Sequence, residues 1–248
     1  MPETPAERAL RALVDAVDDA RARRPEDADD PDVPVAATVV IARDGRRGPE
    51  VLMIERPERG SFAGAWVFPG GKIDPGDRLL PDEPEADAAR RAGVRETREE
   101  AGLELDPAAL EPMSRWDPPP GLPLRIRTWF FATRATGADL VLSADEAISA
   151  TWVHPQDALA RHARGEATLY PPTWVTLHGL TGQGDVDALL ALVRLRGVEQ
   201  FETVVRRTAD GPLFLWQDDA QYAIADAAGE ARHRLQTGVL PWRYARTA

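Results

Sequence analysis

Three carboxylates crowd the stretch Arg95-Glu96-Thr97-Arg98-Glu99-Glu100-Ala101-Gly102-Leu103. On a helix advancing about 100° per residue, offsets of three and four return to the same side, so Glu96, Glu99 and Glu100 share a face. Like charges placed this way repel by a few tenths of a kcal/mol per pair. A bound cation relieves that repulsion. Oxygen ligands at close quarters suit hard cations such as Mg²⁺ or Mn²⁺ rather than Zn²⁺. The plainer alternative is a solvated face on which Arg95 pairs with Glu99 across one turn. The segment upstream weighs against that alternative.

An amphipathic helix is expected over residues 5–24, with Leu10, Leu13, Val14 and Val17 on one side. The acidic, proline-bearing stretch 24–32 reads as a linker. A β-branched run at 35–42, a turn at Asp44-Gly45 and a second run at 50–56 predict a hairpin. Residues 60–73 read as loop, strand and loop, with Trp66, Val67 and Phe68 ahead of Pro69-Gly70-Gly71. A polar loop leads to Pro84, and the acidic helix spans 85–101, stopped by Gly102. Strands are expected at 111–117, 124–135 and 148–153, and helices at 155–164 and 172–180. The texture changes near residue 182. A leucine-rich helix and short strands at 201–207 and 212–217 follow. The end, Leu240-Pro241-Trp242-Arg243-Tyr244, reads as a wrapping extension.

Bulk composition narrows the chemistry. With 43% hydrophobic residues among 248, the chain can bury a core. A formal charge of −11 argues against nonspecific binding to a nucleic-acid backbone. It leaves open a small phosphate-bearing ligand whose charge a divalent metal offsets. There is no cysteine, which excludes disulfides, thiolate metal sites and cysteine nucleophiles. The four histidines, His154, His162, His178 and His233, show no ligand spacing, and Lys72 is the only lysine. No apolar run reaches the roughly 18 residues of a membrane helix, and the N-terminus lacks the apolar core of a signal peptide. A soluble, cytoplasmic protein is expected.

Hairpin, Gly-Gly loop, acidic loop and carboxylate helix, in that order, resemble the Nudix hydrolase superfamily. Its box is written G-x5-E-x7-R-E-U-x-E-E-x-G-U, where U is bulky and apolar. Arg95, Glu96, Glu99, Glu100, Gly102 and Leu103 match its second half, while Thr97 stands where an aliphatic residue is usual. Anchored on Gly71, Asp77 falls where the family has Glu. The 17 residues between Asp77 and Arg95 exceed the seven of the box by ten. Asp87 would keep the shorter spacing, but by helical angle it points away from Glu96. Insertions at this point resemble the acyl-coenzyme A diphosphatase branch. Gly64 to Gly71, Phe130-Phe131, Asp145-Glu146 and Tyr170-Pro171-Pro172-Thr173 lean the same way.

The resemblance implies an α+β fold, an α/β/α sandwich with a mixed sheet between helices. Residues 1–32 would form the N-terminal helix and linker, 33–180 the Nudix domain and 181–248 a C-terminal extension. It implies cleavage of a diphosphate joining a nucleoside to another group, with Mg²⁺ or Mn²⁺ as cofactor. Charge builds on phosphoryl oxygens in such a reaction, so catalysis is mostly positioning and electrostatics. Carried over by position, Glu96, Glu99 and Glu100 hold the metal, with Asp77 and a Gly70 or Gly71 carbonyl as further ligands. Arg95 orients a box carboxylate. The general base is Glu96, Glu99 or, from a later loop, Glu146. Arg56, Arg59, Arg125 and Arg127 are phosphate-contact candidates. Trp66, Phe68 and Trp129 are candidate stacking surfaces, although aromatic strand residues are more often core. Ala89 and Ala92, on the carboxylate face, would leave room for ions and a diphosphate.

The expected ligand is a small nucleoside diphosphate derivative, first coenzyme A or acyl-coenzyme A. ADP-ribose, NADH, nucleotide sugars and nucleoside triphosphates are alternatives, as is a non-catalytic nucleotide-binding module. No nucleic-acid polymer or membrane is expected. The N-terminal apolar stripe raises a homodimer.

Overall fold

A computed structural model describes residues 5–58, 62–137, 139–143 and 147–247. The chain opens with helix α1 (Pro5–Asp19) and the hairpin β1 (Val35–Gly45) and β2 (Gly48–Glu55). Two short strands, β3 (Trp66–Val67) and β4 (Gly70–Lys72), lead to helix α2 (Glu85–Ala101). Next come β5 (Glu111–Asp117), β6 (Arg127–Arg134), β7 (Ser149–Val153), α3 (Pro155–Ala163), α4 (Pro171–Gly179) and α5 (Val186–Arg196). Five strands finish the chain: β8 (Glu199–Glu202), β9 (Val204–Thr208), β10 (Gly211–Leu215), β11 (His233–Gln236) and β12 (Arg243–Arg246).

The central sheet has eight strands, with the path β3-β2-β1-β6-β5-β8; β4 pairs with β1 and β7 with β2. It is mixed, since β1 runs parallel to β6 and β5 parallel to β8 while the β1–β2 hairpin is antiparallel. Alternation along the strands sorts side chains onto two faces. Val39 and Ile41 of β1, Leu52 of β2 and Trp129 and Phe131 of β6 form one apolar cluster with Ala89 and Ala92 of α2. Val40, Met53 and Phe130 point the other way, into a cluster with Val175 and Leu177 of α4 and Leu189 and Val193 of α5. The sheet is therefore sandwiched between α2 and the α4–α5 layer.

α2 lies close on its sheet because small residues line its inner face. Ala89 and Ala92 are fully buried, and a Cβ at Gly93 would meet Val39 Cγ2 at 2.9 Å. The two alanines fill a packed seam, so they do not open a cleft beside the carboxylates. The helix ends at Gly102, whose φ of +69° is left-handed and whose N–H donates to Arg98 O.

The C-terminal residues do more than wrap. β9 to β12 form a four-stranded antiparallel sheet of their own, in the order β12-β11-β10-β9. α5 packs on β5 and β6, and β8 extends the central sheet. Trp216, fully buried, joins the two sheets by edge contacts with Trp116 and Phe201. The acidic stretch before β1 is pinned rather than loose. Asp27 is buried and receives Arg21 Nη2 at 2.6 Å, and Asp29 and Asp30 pair with Arg115 and Arg125. The Arg21 bond is the main reason that the Asp27 pKa falls to about 2. No helix among the described residues is long and apolar enough to cross a membrane.

Candidate active site

The acidic end of α2 sits against β4, and two guanidiniums organise it. Arg95 spans the junction. Its Nε and Nη2 donate to the two Asp77 oxygens at 3.2 and 2.9 Å, and Nη2 also donates to Lys72 O at 2.9 Å. Its Nη1 donates to Glu96 Oε1 at 2.8 Å and to Glu99 Oε2 at 3.1 Å. The bond to Asp77 and then that to Glu96 overcome burial and hold the Arg95 pKa above its ordinary value. One nitrogen thus draws two box carboxylates together. The i,i+4 pair of Arg95 and Glu99 offered as the plain reading is present, but it is one strand of this larger network.

Glu100 faces inward, with its side chain 1% exposed. Oε1 accepts from Arg56 Nη1 and Oε2 from Gly70 N–H, each at 2.8 Å. Arg56 also reaches Gly70 O at 3.3 Å, while its buried Nε has no hydrogen-bond partner among the described residues. Two glycines let β4 fit beneath the helix. A Cβ on Gly71 would fall 2.3 to 2.4 Å from the Glu96 carboxylate. Gly70 has φ +155° and lies so close to β1 that its Cβ would be 2.1 Å from Ala37 O.

The other expected site residues fall into four groups. Asp77 is in the network, but both its oxygens face Arg95 and Oδ2 also accepts from Asp74 N–H at 2.8 Å. Its carboxylate anchors the arginine. Arg125 and Arg127 are engaged elsewhere. Arg125 bonds Asp30, and buried Arg127 bonds Asp117 and Glu85. Glu85 begins α2, and the rise of a helix puts Glu96 ~16 Å further along its axis. Phe68 is 1% exposed and packs edge-on to Phe130, so its ring is core. Trp129 is core as well, with its indole N–H on Glu85. Trp66 is half-buried under the Arg161 guanidinium. Glu146 and Arg59 lie outside the described residues.

Sequence reasoning proposed Arg56 for a phosphate but did not foresee its pairing with Glu100. The partners are 44 residues apart, and no local spacing encodes the contact. The buried pair of Arg127 and Asp117 escaped it for the same reason.

The donor chemistry fits a hard divalent cation. Every group concerned is a carboxylate or carbonyl oxygen. Within the hydrogen-bonded network, Asp77, Glu96, Glu99 and Glu100 share Arg56 and Arg95, an excess of two negative charges. Among the described residues, no three acidic or histidine side chains already converge at metal distance.

A mixed sheet between helix layers, with an acidic helix docked on a Gly-Gly strand, is the architecture of a Nudix-type protein. The chain matches the NUDIX domain over residues 32–172, more than half its length, and belongs to that family. It is 42% identical over 65 residues to CTP pyrophosphohydrolase of Escherichia coli (strain K12), an alignment covering 26% of this chain and 38% of the relative. A crystal structure of a NUDIX hydrolase from Alicyclobacillus acidocaldarius superposes with a TM-score of 0.56 and 26% identity, covering 65% of this chain and 96% of that one. A MutT NUDIX hydrolase from Burkholderia pseudomallei gives a TM-score of 0.46 and 24% identity over 60% of this chain and 98% of its own.

Proposed function

We propose that the protein is a divalent-metal-dependent diphosphohydrolase acting on a small nucleotide derivative. The observation that carries this reading is the shared Arg95 nitrogen, which gathers Glu96 and Glu99 above Gly71 while Glu100 is fixed beside them. Glu96, Glu99 and Glu100, with a Gly70 or Gly71 carbonyl, would hold Mg²⁺ or Mn²⁺. An ion held there would offset diphosphate charge and supply Lewis-acid activation of water. Asp77 is a positioning residue that sets Arg95, and Arg95 sets the two glutamates. Glu99, with its side chain 42% exposed, is the box carboxylate most open to solvent and is the proposed acceptor of the water proton. Arg56, beside Glu100 and with its side chain 27% exposed, is the proposed contact to a substrate phosphate.

The similarity to a CTP pyrophosphohydrolase supports a nucleoside triphosphate as substrate. Coenzyme A is the second reading, favoured by the additional loop between Asp77 and α2. A panel of CTP, other nucleoside triphosphates, coenzyme A, ADP-ribose and NADH, with products identified by mass, separates the two. Hydrolysis should vanish with chelator and return with Mg²⁺ or Mn²⁺. Glu99→Gln and Glu100→Gln should each lower kcat at least about 100-fold with the fold intact. Full activity in both variants, or no hydrolysis anywhere in the panel, would defeat the proposal.

A further inference from the structure

A cavity of about 300 Å³ lies on the sheet face opposite α2. Trp116 and Phe201, paired across β5 and β8 and stacked at 3.8 Å, form its floor. His178 at the end of α4 and Tyr244 of β12 meet edge-to-face at 5.1 Å in its wall. Arg196, closing α5, and Arg246 of β12 bring two guanidiniums to it. One acid, Glu199, faces them and pairs with Arg246. None of Glu96, Glu99 or Glu100 lines it.

We propose that this cavity is a second binding site, for a nucleoside monophosphate. Its volume is at the lower end of the range for small-molecule sites. Aromatic walls with charged groups at the rim suit a planar base joined to an anion. After Glu199 is offset, the arginines leave one positive charge, enough for a single phosphate and too little for a polyphosphate chain. Tyr244 and Thr176 bring further hydroxyls to the lining, while the Thr181 hydroxyl, which donates to His178 O at 2.8 Å, is left to accept. The walls come from the central sheet and helices on one side and from β12 on the other, so a bound ligand bridges the two sheets. The inference does not depend on the diphosphatase reading.

Titration calorimetry of the full chain tests it, with adenosine monophosphate as probe and adenosine and inorganic phosphate as separate arms. Arg196 is exposed and its Nη1 donates to Gly179 O at 3.3 Å, so its charge can be reversed without breaking the core. The expected result is saturable binding of adenosine monophosphate, tighter than either arm. Arg196→Glu should weaken it by about tenfold or more, Arg196→Lys by less, and Glu100→Gln not at all. Absence of binding, equal binding in Arg196→Glu, or binding no tighter than phosphate alone overturns the proposal. Binding that survives Arg196→Glu but is lost in Glu100→Gln also overturns it, because the ligand then sits at the acidic helix.

Discussion

Two adjacent glycines separate what holds the fold from what arms the site. A methyl group on Gly71 would strike the tip of the Glu96 side chain, which can swing away; one on Gly70 would strike the backbone of β1. Gly71→Ala should therefore cost less than about 1 kcal/mol of stability while lowering kcat about 100-fold, as displacing a catalytic group by an ångström does. Gly70→Ala adds left-handed strain to a backbone clash and should destabilise by at least about 2 kcal/mol. Urea unfolding and kcat, measured together on both variants, check the contrast. Equal damage to stability in both, or an active Gly71→Ala enzyme, would remove the assigned place of Glu96.

At the scale of elements, α2 carries one residue that its own neighbours do not satisfy. Thr97 is fully buried, and its hydroxyl has no hydrogen-bond partner among the described residues. An unpaired buried hydroxyl costs about 1–3 kcal/mol. Thr97→Val, close in volume, should raise the urea midpoint by about 1 kcal/mol equivalent and leave kcat unchanged; a destabilised variant would mean that the hydroxyl is bonded after all. The odd residue of the box was visible in the sequence, as was α2 itself, because offsets of three and four and a terminal glycine are local signals. The β1–β2 hairpin was legible too, although its turn falls at Arg46-Arg47, with Gly45 paired to Gly48, rather than at Asp44-Gly45. β4 was not, since Gly70-Gly71-Lys72 has no strand propensity and is a strand only because β1 lies beside it. β11 and β12 are four residues each, both carry arginine, and they become strands by pairing, β11 with β10 and β12 with β11. The same limit applies to the site: the carboxylate trio is written in one turn, whereas the bonds from Arg56 and Asp77 depend on loops meeting in space.

Across the whole molecule, two buried histidines tie stability to pH. His162 Nδ1 donates to Ala167 O and His233 Nδ1 to Gln217 O, each at 3.0 Å, because a carbonyl can only accept. Neither Nε2 has a hydrogen-bond partner among the described residues, so a proton added there finds no acceptor. Burial lowers both pKa values below the ordinary 6.5. The unfolded chain therefore binds protons that the folded chain refuses. Stability is full above 6.5 and drains as pH falls below it. Both rings touch indoles, His162 edge-on to Trp242 at 4.4 Å and His233 against Trp216 at 5.2 Å. Tryptophan fluorescence thus reports the region that loosens, the four-stranded sheet and the segment closing it. Urea midpoints should fall as pH is lowered from about 7.5 to about 5.5, and His233→Leu should flatten the slope even though it loses the Gln217 bond. A midpoint that holds steady across that interval would remove the histidine linkage, and a slope as steep in His233→Leu and in a matching His162→Leu as in the parent chain would shift it to another group that binds its proton more tightly in the unfolded chain, such as His178, whose pKa burial also lowers.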